Sequence, residues 1–203
     1  MRRPRGRPAQ GTGVTREAIV ATALALLDEK SEGGEGGRGL SMRALAARLG
    51  VTPMSLYHHI GDHAGLLRAV SDEVYASVLE GIETGLTCRA EIREILIRYH
   101  DAVCRHPQLT LAIFATPRAF AGVTRRITDR LTGLLRAMTT APELWRDILI
   151  DHAHGSGLPF AHNDHAGALP APDDSAYRQA LDCLLDGLAA PRSPAGRNFP
   201  GTA

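Results

Sequence analysis

Aromatic residues are scarce in this chain, at 4% of 203 positions. Aliphatic side chains must therefore supply most of the core packing. Lysine is scarcer still: Lys30 is the single one among 23 basic residues, so arginine carries nearly all the fixed positive charge. Cysteine occurs three times, at Cys88, Cys104 and Cys183. An odd count without a CxxC pair argues against a disulfide framework and against a zinc ribbon. Each cysteine reads instead as a small apolar residue. No apolar run approaches the roughly 18 residues of a membrane span. The opening MRRPRGRP lacks the apolar stretch of a secretory leader, so a cytoplasmic protein with no membrane partner is expected. No segment alternates apolar and polar residues as a half-buried strand does. The fold class that remains is all-α.

What is present is an ordinary apolar content of 44% and a net charge of +1. The distribution of that charge says more than its sum. Residues 1–79 hold 10 Lys+Arg against 8 Asp+Glu, and the remainder holds 13 against 14. Arg2, Arg3, Arg5 and Arg7 crowd the first residues, so 1–13 reads as a flexible basic arm suited to phosphate or minor-groove contact. Thr15 then caps a helix running to about Lys30, with Ile19, Ala23, Leu26 and Leu27 inward. SEGGEGGRG at 31–39 is a glycine-rich loop.

The stretch LSMRALAARLGVTPMSLYHHIGDHAGLL, 40–67, is the most informative. Ser41 is a good N-cap, and Met42, Leu45, Ala46 and Leu49 form one apolar helical face. Gly50 suits a left-handed helix end. Thr52 caps a second helix with Pro53 at its first position, whose apolar side is read as Leu56, Tyr57 and Ile60. Asp62 caps a third, longer helix reaching about Leu79. Two short helices joined by a glycine-containing turn are the unit that seats a recognition helix in a DNA major groove.

These residues, above all Arg43-x-Leu45-Ala46, Leu49-Gly50-Val51 and Leu56-Tyr57-x-His59 followed by Leu66-Leu67, resemble the DNA-binding domain of tetracycline-repressor-like (TetR/AcrR) transcriptional regulators over residues 15–79. The resemblance implies a helix-turn-helix domain at 14–80 and a helical ligand-binding and dimerisation domain at 81–189. A disordered tail at 190–203 would complete the chain. Carried over by position, Tyr57 and His59 match residues that touch the DNA backbone or present the reader helix. Thr52, Pro53, Met54, Ser55 and His58 match residues facing base edges or phosphates. Arg43 matches one able to reach a base. His63 stands where many relatives carry lysine, and a neutral imidazole offers a phosphate only a hydrogen bond. The implied partners are a pseudo-palindromic double-stranded operator, a small-molecule effector and a second copy of the chain. The implied function is a repressor released from DNA by its ligand, with no enzymatic role and no cofactor.

Beyond residue 80 the pattern is helical throughout. Arg89–Arg105 turns Ile92, Ile95, Leu96, Tyr99 and Val103 inward. Leu109–Ala115 is an apolar run too apolar for exposure, and Pro117 closes it. Gly122 to about Thr139 is amphipathic. Pro142 opens a helix, 155–173 reads as a loop, and Asp174 or Ser175 begins the last helix. Helices lined by Tyr99, His100, Val103, Cys104, Phe114, Phe120, Met138 and Trp145 are the expected walls of a largely apolar ligand pocket. Segments 142–154 and 174–188 are the expected dimer bundle, with Leu181, Leu184 and Leu188 exposed in a monomer. The competing class is a helical metal-binding sensor or enzyme with an incidental reader. Histidines 152, 154, 162 and 165 invite that reading. The two-residue spacing of His152 and His154 puts them on different helical faces, which is poor for one ion, and no metal site is assigned. His100-Asp101 and Asp151-His152 are only sequence neighbours, and no nucleophile with a paired base is evident.

Overall fold

The computed structural model describes residues 14–29, 40–158 and 174–189, and these contain helices and turns but no strand. The basic arm, the 31–39 loop, His162, His165 and the 190–203 tail lie outside the described residues.

Three helices make the N-terminal unit: α1 (Arg16–Asp28), α2 (Met42–Leu49) and α3 (Pro53–Ile60). A fourth, α4 (His63–Leu79), continues from it into the rest of the chain. Their starts are set locally. Thr15, Ser41, Thr52 and Asp62 each accept a hydrogen bond from the backbone N–H three residues on, at 3.2, 3.1, 3.3 and 2.8 Å. Each such cap satisfies a donor that the helix itself cannot, worth about 1 kcal/mol. The α2–α3 turn needs Gly50, whose φ of 66° is cheap only without a Cβ. Ile19, Ala23, Leu45, Leu56, Leu66 and Leu67 are fully or almost fully buried where these helices meet.

The C-terminal unit is α5 (Cys88–Arg105), α6 (Pro107–Phe114), a 3-10 turn at Pro117–Ala119, α7 (Val123–Leu135), α8 (Pro142–Gly157) and α9 (Asp174–Ala189). Its core holds Ile92, Ile95, Leu96, Val103, Leu109, Ile127, Leu131, Leu135 and Leu149. Helix α9 is held to α5 by a bidentate Arg93–Asp182 pair, at 2.8 and 3.1 Å, and by Arg89–Asp186 at 2.6 Å. The Arg93 hydrogen bond keeps the Asp182 carboxyl below the usual carboxylate range.

Three expectations need correction. Leu181 and Leu188 are buried within the chain rather than exposed, because α9 lays them against α5 and α8. Phe114 and Phe120 are not inward: they are 52% and 48% exposed, since α6 ends at Phe114 and the chain then turns through Pro117. Helix α8 runs on through Gly157, past the residue where the loop was expected.

The two units are joined by buried contacts from α4. The Tyr75 hydroxyl lies 2.8 Å from Thr110 Oγ1 of α6, and burial pushes its pKa up to about 12. The Asp72 carboxylate accepts the Val123 N–H at 2.7 Å and so caps α7 from across the boundary. Gly122, with φ 61°, makes this possible, because a Cβ on it would stand 2.2 Å from Asp72 Oδ1. Farther out, Asp28 at the end of α1 meets His106 Nδ1 at 3.1 Å. Asp62 faces Arg118 at 3.5 Å, while Arg68 donates to the Arg118 carbonyl at 3.2 Å.

Candidate nucleic-acid interface

Helix α3 buries only a narrow side. Leu56 and Ile60 face the core, whereas Thr52, Pro53, Met54, Tyr57, His58 and His59 are exposed and Ser55 is half-buried. Met54 is 64% exposed and Tyr57 45%. Tyr57 therefore does not pack with Leu56 as its sequence position suggests. Adjacent residues on a helix lie about 100° apart, and the core takes Leu56. Met54 and Tyr57 thus leave apolar surface on the outward side of α3.

Arg43 projects from α2 as an exposed side chain, and His63 is half-buried at the first position of α4. Arg48, also on α2, is already committed: both its terminal nitrogens reach Glu29, at 2.5 and 3.3 Å. The nine residues expected from the sequence are thus grouped on α2, α3 and the start of α4. The framework beneath them is α1 and the buried face of α4. What this surface can do chemically is hydrogen-bond, stack and make apolar contact from α3, with fixed charge supplied at its edge by Arg43.

Known structures share this fold. BioQ of Mycobacterium smegmatis superposes with a TM-score of 0.71 at 28% identity, over 87% of this chain and 98% of that one. A BioQ structure that contains its double-stranded DNA operator matches with a TM-score of 0.67 at 27% identity, over 87% of this chain and 99% of that one. A Streptomyces coelicolor transcriptional regulator described as a TetR matches with a TM-score of 0.66 at 26% identity, over 89% and 100%. The chain has the tetracycline-repressor fold. Among curated proteins, an HTH-type transcriptional regulator of Saccharopolyspora erythraea is 33% identical over 109 residues. That match spans 54% of this chain and 43% of the relative, less than half the relative's length. No family profile matches the chain.

In this tetracycline-repressor fold, four of the eight residues expected to line a ligand pocket fall into two clusters rather than one. The first joins Tyr99 of α5 to Phe114 of α6 through His154 of α8. The Tyr99 hydroxyl lies 2.7 Å from His154 Nε2, and the Phe114 ring meets the His154 ring edge-on at 4.8 Å. Tyr75 extends this cluster, 5.5 Å from Tyr99. Burial pushes the Tyr99 phenol up and holds the His154 imidazole below its ordinary value. The second cluster sandwiches Tyr177 of α9 between His100 at 3.7 Å and His152 at 5.2 Å. Cys104 Sγ sits 3.5 Å from His100 Nε2, and Tyr177 donates to the Leu96 carbonyl at 3.0 Å. His152 Nε2 is buried with no hydrogen-bond partner among the described residues.

Val103 is wholly core. Met138 and Trp145 are half-buried, and no ring contact joins Trp145 or Phe120 to either cluster among the described residues. Sequence reasoning missed Tyr75 and Tyr177, because their partners come from helices distant in sequence. His152 and His154 face different neighbours, Tyr177 and Tyr99, as their spacing requires. Among the described residues no group of three or more His, Cys, Asp or Glu is placed to hold a metal ion. None of the described helices is long and apolar enough to cross a membrane.

Proposed function

We propose that this chain is a sequence-specific DNA-binding transcriptional regulator, and that it acts as a repressor released from its operator by a small molecule. The observation that carries the reading is α3: an eight-residue helix propped on Leu56 and Ile60, offering Met54, Tyr57, His58 and His59 outward. The fold shared with BioQ, a protein crystallised with its operator, supports it. Arg43 is assigned to a base edge, and Thr52, Pro53, Met54, Ser55, His58 and His63 to base edges or phosphates. Tyr57 and His59 hold the helix against the DNA backbone. No step of this function calls for catalysis.

One reader per chain requires a second copy to span successive major grooves about 34 Å apart. The outward faces of α8 and α9 suit that contact. Leu144 and Ile148 are exposed on α8, and the small residues Ala176, Cys183 and Gly187 lie on the exposed side of α9. Small residues on one helix accept large ones from another at close approach.

For the effector, the Tyr75–Tyr99–His154–Phe114 cluster is the favoured entrance. Its aromatic walls, one neutral imidazole and half-exposed Phe114 fit a mostly apolar ligand with one hydrogen-bonding group. Such a ligand alters DNA affinity only if it prefers one of two arrangements of the chain. A gel shift with DNA from upstream of the protein's own gene tests the first reading. Retardation relieved by a compound found through thermal-shift screening supports both parts. Absence of any sequence-preferring retardation sinks the regulator.

A further inference from the structure

We propose that protons are co-ligands of the operator, taken up at His58 and His59 when α3 meets the DNA. The inference rests on the DNA-binding reading above and concerns its regulation. Its starting point is composition: α3 reads PMSLYHHI and contains neither lysine nor arginine. The ionisable groups it presents besides Tyr57 are two exposed imidazoles in its last turn.

Among the described residues, several of the charged groups beside α3 already have partners. On α2, Arg48 is held by Glu29. At the start of α4, Arg68 is bound to the Arg118 carbonyl, and Arg118 faces Asp62, whose carboxylate also caps α4 at Gly65. On α1, Asp28 is engaged by His106, while Arg16 and Glu17 stand side by side at its start. Among the described residues from α2 to the α3–α4 corner, Arg43 is the single arginine without a hydrogen bond or ion pair.

A duplex brings one phosphate charge for every 1.7 Å or so of its axis. A neutral imidazole gives a phosphate one hydrogen bond, and a protonated one adds charge and counterion release. The C-terminal end of α3 also favours positive charge on these two residues. His63 is excluded on the same ground, since it occupies the first position of α4, where the helix dipole opposes a cation. The bound state therefore holds more protons than the free one. The affinity gained is present in full at acid pH and is lost as pH rises through the imidazole value in the complex. Histidine places that window between about pH 5 and 8. Each imidazole raised by one unit on binding contributes about tenfold.

The test uses the full chain and a duplex that it selects from a random library. Binding is followed by fluorescence anisotropy from about pH 6 to about pH 8.5 at fixed ionic strength. The dissociation constant should rise about tenfold or more, and the salt dependence should become shallower at the alkaline end. The double variant His58→Gln/His59→Gln, which keeps hydrogen-bonding side chains on an exposed face, should flatten the profile, and each single variant should remove part of it. His106→Gln, at the α5–α6 corner, should keep the full pH response. A flat wild-type profile, or an unchanged slope in the double variant, overturns the inference while leaving the regulator standing. Failure to select any duplex at any pH overturns the DNA-binding reading itself.

Discussion

Arg43 owes its proposed role to being left alone. Its neighbour Arg48, five residues along α2, has spent its guanidinium on Glu29, whereas Arg43 stays exposed and can offer a forked pair of donors to guanine. Replacing it with alanine should cost about 1–3 kcal/mol of operator affinity and relax preference at one base pair. Competition with single-base variants of the selected duplex checks this, and unchanged preference at every position removes Arg43 from base reading. His154 makes a different residue-scale prediction. Burial depresses its pKa below the ordinary 6.5, so the unfolded chain takes up the proton first as pH falls. Its contribution to stability is therefore complete above that value and is lost as pH drops toward the folded one. Thermal melts at about pH 7.5 and about pH 5.5 should differ less for His154→Phe than for the natural chain. The variant should also start lower by the loss of the Tyr99 partner, about 1–3 kcal/mol. An equal acid shift in both proteins refutes the assignment.

At the scale of elements, α2 and α3 were legible in the sequence almost to the residue. Ser41, Gly50, Thr52 and Pro53 act on backbone groups within four positions of themselves, so nothing distant can overrule them. Leu56→Ala should cost about 2–5 kcal/mol, since Leu56 is fully buried beneath the reader. Met54→Ala, on the exposed side of the same helix, should change stability by less than about 0.5 kcal/mol. Urea unfolding of the two variants separates the buried side of α3 from the presented one, and equal losses would contradict that division. What the sequence hid was any choice between neighbours. Leu56 and Tyr57 are both apolar, and only the packed α1–α4 framework shows that one is core and the other surface. Leu181 and Phe114 were misread for the same reason. Periodicity marks a helix as one-sided, but it does not say whether α5 or a second protein covers that side. The Tyr177 sandwich was out of reach entirely, because it joins residues 100, 152 and 177 across three helices.

For the molecule as a whole, assembly is the decisive quantity. With Leu181 and Leu188 already buried within the chain, the proposed contact between two copies rests on Leu144, Ile148 and the small-residue face of α9. Leu144→Asp should convert a species of about twice 21.7 kDa into one of 21.7 kDa by light scattering at micromolar concentration. Operator affinity should fall with it, because a lone reader spans one groove. A variant that remains the same size as the natural chain would place the contact elsewhere. The joint between Asp72 and Gly122 bears on a different matter, the exchange of parts among regulators. A reader grafted from one such protein onto the C-terminal half of another brings its own α4, and with it whatever residue stands at position 72. Unless donor and recipient agree on a carboxylate there and a glycine opposite, the first turn of α7 loses its cap or meets a clash, and the hybrid would hold two halves that no longer move as one. Interchangeability in this chain thus ends at a matched pair of residues, with the seam running through α4 and not through the loop that follows it.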